Sequence, residues 1–131
     1  MNPIYLSTYF GFNLHDYKRI GDSILIASGS GLMMAIMDAV PRFKYCIDID
    51  NHRNINKRIP NYLTAIDLNC KFSIIAIAGW FSIDNPNMLQ QGISKINNAQ
   101  CITYSGGYKV FPNECISLND LINKCNANVS A

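Results

Sequence analysis

Ser28-Gly29-Ser30-Gly31 is the tetrapeptide with the clearest chemical promise. It follows a continuous apolar run, Ile24-Leu25-Ile26, and precedes the helix-prone segment Leu32–Val40. A strand that enters a glycine turn and then a helix exposes backbone N–H groups at the positive end of the helix dipole. That is the chemistry of an anion site, above all one for phosphate. The known fingerprints are not met. A dinucleotide site wants G-x-G-x-x-G, and here Gly31 is followed by Leu32, Met33 and Met34; a P-loop wants a lysine, and none is near. A nucleophile elbow wants G-x-S-x-G, and the bulk of Leu32 or Ile26 occupies a position that must be small. Ser28, Gly29, Ser30 and Gly31 therefore stand as a candidate site for a phosphate-containing ligand. The plain structural alternative is a tight turn with Ser30 as the helix N-cap.

Asp48 and Asp50 lie two apart on a segment of alternating polarity, so both carboxylates share one face, and His52 follows. Two hard oxygen ligands can begin a divalent cation site. Only Asp67 and Glu114 stand out as distant third ligands, so no metal centre is expected, and pairing with Arg42, Lys44 or Arg53 explains the two carboxylates as well. His15 and His52 are the only histidines. Neither has local support for a Ser–His–Asp or Cys–His arrangement, and no catalytic residue is assigned. Cys46, Cys70, Cys101, Cys115 and Cys125 are dispersed and never form the close pairs typical of zinc sites. They read as buried, reduced thiols, which implies a cytoplasmic protein. No cofactor is expected.

The main charge asymmetry is basic. Arg42, Lys44, Arg53, Lys57 and Arg58 are five of the 11 basic residues. Against Asp48 and Asp50 they leave that segment at +3, and the remainder of the chain at −1. Tyr45 and Tyr62 flank the cluster and asparagines interleave it. Such a surface can follow a nucleic-acid backbone or dock an acidic protein surface through arginine anchors. A net charge of +2 is low for a nucleic-acid binder, which favours a protein partner held by Arg53, Lys57, Arg58, Arg42, Lys44 and Tyr62. Trp80 and Phe81 follow an apolar strand and offer a second aromatic contact.

These residues need a frame. Its expected order is a strand at Ile4–Phe10, a short helix at Leu14–Ile20, a buried strand at Ser23–Ala27, a helix at Leu32–Val40 ended by Pro41, and an alternating strand at Phe43–Asp50. Asn51–Pro60 reads as a polar connection, followed by a short helix capped by Asn61. A second buried strand at Phe72–Ala78 precedes a helix capped by Asn85, with Pro86 at its first position. Cys101–Tyr104 and Tyr108–Phe111 flank Ser105-Gly106-Gly107 as a hairpin, and Ser117 caps a last helix. Alternation of strands and helices predicts one α/β domain over residues 1–131, with a mixed, mostly parallel sheet, helices on its faces and a C-terminal hairpin.

Composition bounds the function. The chain is 49% hydrophobic and 15% charged, which excludes disorder and describes a weakly charged surface poorly defended against association. No secretory signal is apparent, and the apolar stretch at Phe72–Ile83 is too short to cross about 30 Å of hydrocarbon as a helix. The leading expectation is a small protein-binding domain, an inhibitor of one protein partner in the manner of bacterial immunity proteins and antitoxins. The alternatives are a small-ligand binder or enzyme at Ser28–Gly31, and a nucleic-acid binder through residues 42–62. No membrane association is expected.

Overall fold

The computed structural model describes residues 2–49, 55–79, 86–106, 111 and 113–127. In chain order these form α1 (Pro3–Phe10), β1 (Leu14–Asp16), β2 (Ser23–Ser28), α2 (Ser30–Ala39), β3 (Phe43–Asp48), α3 (Ile55–Asn69), β4 (Ile74–Gly79), α4 (Pro86–Ser94), β5 (Gln100–Tyr104) and α5 (Leu118–Asn126). The strands make one mixed sheet in the order β1-β3-β2-β4-β5. β1 runs antiparallel to β3, and every other neighbouring pair is parallel. This is the expected α/β architecture.

Residue alternation on the central strands builds two cores. Ile24, Ile26, Ile47, Ile75 and Ile77 face α1, α3 and α4, where Leu6, Tyr62, Leu63, Ile66 and Leu89 meet them. Leu25, Ala27, Cys46, Ala76 and Ala78 face α2 and α5, packing on Ile36, Met37, Leu121 and Cys125. The second face carries the smaller strand residues. All six residues of β2 and of β4 are buried, which explains their unbroken apolar runs: a parallel strand covered on both faces has no polar side to show. Each fully buried Ile or Leu contributes about 1.5–3 kcal/mol relative to exposure.

Three elements depart from the sequence expectation. Ile4–Phe10 is helical, not a strand. Asn2 accepts from the Ile4 N–H at 2.9 Å, Pro3 opens the helix, and Gly11 closes it at φ +79°. Capping at both ends outweighs the weak strand preference of Tyr, Thr and Ile. Leu14–Asp16 is a strand, not the start of a helix: Leu14 pairs with Ile47 and Asp16 with Tyr45. Lys18 at φ +54° then stops any helix through this segment. Finally, α3 begins at Ile55 and carries Pro60 inside it rather than starting after it. A Cβ on Gly92 would lie 2.6 Å from Pro60 Cα, so the α3–α4 crossing requires glycine at 92.

The expected helix cap at Asn85 and the hairpin strand from Tyr108 fall outside the described residues, except that Phe111 is buried and is not in a strand. The antiparallel member of the described sheet is β1. Ser117 caps α5 as expected, accepting from the Asp120 N–H at 3.0 Å.

Candidate functional site

The topology creates one distinctive place. From β2 the chain passes through α2 to β3 on one side. From β3 it passes through α3 to β4, on the other side of β2. The connection leaving β2 runs to α2 on one face and the one leaving β4 to α4 on the other, so the carboxyl ends of these two strands form a topological switch point. Ligands of open α/β sheets bind at such a switch point.

Ser28 and Gly79, the last residues of the two strands, are paired there. Gly79 has φ +123°, and a Cβ on it would stand 2.5 Å from Ser28 O and 3.0 Å from Ser28 N. No residue but glycine fits this approach. Gly29, at φ +100°, turns the chain from β2 into α2 and is itself the N-cap. Ser30, the expected cap, is instead the first helical residue and is exposed. The N-cap glycine offers no side-chain cap of its own, and no acidic residue sits in the first turn of α2. The first N–H groups of a helix have no acceptor within the helix, so this end of α2 presents donors and a partial positive charge outward. Gly31 is exposed, and a Cβ on it would meet nothing within 4 Å.

Asp48 joins this end. It pairs across the ladder with Ala27, and the Ile49 N–H continues the ladder to Ala27 O at 2.9 Å. Cys46 faces the α2 core, so alternation puts Asp48 on the same face, half-buried. The glycine-capped start of α2 and a carboxylate thus share one end and one face of the sheet, on strands about 4.8 Å apart. Asp50 and His52 lie outside the described residues. The distant carboxylates do not complete a cation site with Asp48. Asp67 lies at the opposite end of the sheet, where it accepts from the backbone N–H groups of Asn97 (3.0 Å), Asn98 (3.2 Å) and Ala99 (2.7 Å). Glu114 accepts from the Phe111 N–H.

The basic segment is not one surface among the described residues. Arg42 precedes β3, where it pairs with Asp22 at 2.9 Å and donates to the carbonyls of Cys125 and Ala127. Lys44 reaches Asp16 at 3.1 Å and the Arg19 carbonyl at 3.2 Å. Arg58 lies beyond the other end of β3, donating to Phe10 O at 2.8 Å over the ring of Phe12. Tyr62, read from sequence as a flanking contact residue, has no exposed surface; it packs on Phe10 and Phe12, and burial pushes its phenol pKa up. Arg53 lies outside the described residues, as do Trp80 and Phe81. Lys57 is in the first turn of α3.

Sequence reasoning missed two residues that organise the amino end of the sheet. Arg19 donates to the carbonyls of Phe43, Met37 and Val40, closing the carboxyl end of α2. Asp67, buried, holds the turn into β5. Neither role leaves a local signature, because the partners lie 18 to 32 positions away. The five cysteines are free thiols, and burial pushes Cys46, Cys101 and Cys125 up to about 12, far from nucleophilic use. An open depression of about 660 Å³ lies beside Gly21, Pro41 and Ala127 at the amino end, but its ionic groups, Asp22 and Arg42, are directed at each other. Among the described residues, no helix is long and apolar enough to cross a membrane, and no three His, Cys, Asp or Glu side chains cluster as metal ligands. The sequence matches no protein-family model and no curated protein.

Proposed function

We propose that this protein binds a small nucleotide-like ligand, one carrying a ribose and an anionic group, at the carboxyl ends of β2 and β4. One observation carries the proposal: the β2–α2–β3 unit brings a glycine-capped helix start and the Asp48 carboxylate to the same end and face at the switch point of the sheet. Backbone N–H groups at Gly29–Gly31 suit the anion. A carboxylate one strand away, about 20 residues further along the chain, suits sugar hydroxyls as a hydrogen-bond acceptor. The missing third glycine of the dinucleotide fingerprint is not an obstacle. Met34 holds that position with its side chain exposed, while Ile36 and Met37 make the contact with the sheet.

The expectation of an immunity- or antitoxin-type inhibitor drew on the single domain, the weakly charged surface, the lack of a catalytic constellation and the basic segment, of which Arg53 lies outside the described residues. Arg42, Lys44 and Arg58 are engaged within the molecule, and Tyr62 is in the core. The same facts weaken a nucleic-acid footprint over residues 42–62. Ligand binding at Ser28–Gly31 therefore takes precedence as the working proposal.

A thermal-shift titration tests it, with AMP, ATP, NAD, S-adenosylmethionine, ribose 5-phosphate and inorganic phosphate as probes. A ligand at 100 times its Kd stabilises by about 2.7 kcal/mol, a shift of several degrees in a domain of this size. Gly31→Ala is the decisive variant, because its methyl group would enter the open space over the helix start. The expected result is a shift with at least one ribose-bearing probe that is lost in Gly31→Ala and reduced in Asp48→Asn. No shift with any probe, or an equal shift in Gly31→Ala, overturns the proposal.

A further inference from the structure

We draw no further inference here: the strongest candidate, the outward face of α1 bearing Tyr5 (65% exposed) and Tyr9 (78% exposed) beside Ile4, is an unpartnered apolar face, and nothing in the structure shows what covers it.

Discussion

The two ends of the sheet are built on opposite plans. At the amino end, side chains fasten backbone to backbone. Arg19 gathers three carbonyls, Arg42 ties Asp22 to the last turn of α5, Asn126 donates to Ala39 O at 3.0 Å, and Asp67 collects three N–H groups. At the carboxyl end of β2, the described residues show strand pairing and a close glycine approach, and the helix that follows has glycine as its N-cap. The difference is one of division of labour. Hydrogen-bonded polar side chains gather where α2, α3, α4 and α5 finish, and a glycine turn stands where α2 begins. With glycine as its N-cap, α2 forgoes only about 0.3 kcal/mol relative to a capping side chain.

This contrast can be broken by substitution. The largest effect is expected at Asp67. Its replacement by alanine leaves three N–H groups of the α4–β5 turn without their acceptor, at a cost of about 3 kcal/mol or more. Urea denaturation would read this as a lowered midpoint; an unchanged midpoint would mean that Asp67 does not hold the turn. Arg19→Met comes next. It keeps the aliphatic stem but removes the donors to Phe43, Met37 and Val40, with an expected loss of about 2 kcal/mol in the same assay.

The third effect depends on pH. The Arg42 guanidinium holds the Asp22 carboxyl down to about 2, well below its ordinary 3.8. A carboxyl lowered in the folded state stabilises the fold above about pH 4 and loses that contribution as pH falls toward 2. Asp22 is half-exposed, so solvent screening keeps the effect small. In Asp22→Asn, stability measured from pH 5 to pH 2 should fall less than in the wild type; equal falls would sever Asp22 from the acid response. The smallest effect belongs to the open end. Gly31→Ala should leave stability unchanged or raise it by up to about 1 kcal/mol, since alanine is the better helix former and meets no neighbour. A clear loss of stability there would mean that this end is as closely packed as the other.

What the sequence made legible follows from the range of the forces involved. β2, β3 and β4 could be read because strand burial is written in neighbouring residues: Ile24-Leu25-Ile26, the alternation after Phe43, and Ile74-Ile75-Ala76-Ile77. The glycine–serine turn could be read for the same reason. α1 is misread locally as a strand because its Tyr- and Ile-rich segment favours strands, whereas the Asn2-Pro3 start and the Gly11 stop make it a helix and leave the strand to Leu14–Asp16. The beginning of α3 is hidden by Pro60, because a proline locally signals a helix start or break, whereas here it lies inside the helix. The pairing of Gly79 with Ser28 and the placing of Asp48 beside Ala27 depend on strand order, which no local pattern encodes. The basic segment misled because charge clustered in sequence is separated in space when a strand lies between its members.

The position of β2 also sets a timetable. It is the second strand along the chain but lies at the centre of the sheet, and its two neighbours, β3 and β4, both come later. On a chain emerging from the ribosome, Ile24–Ala27 must wait, with one edge unpaired until Asp48 has been made and the other until Gly79. More than half of these 131 residues are therefore synthesised before the central strand can be enclosed. Nascent-chain quality control and aggregation would act on that interval, and lengths that end before β4 should be the most adhesive forms this sequence takes.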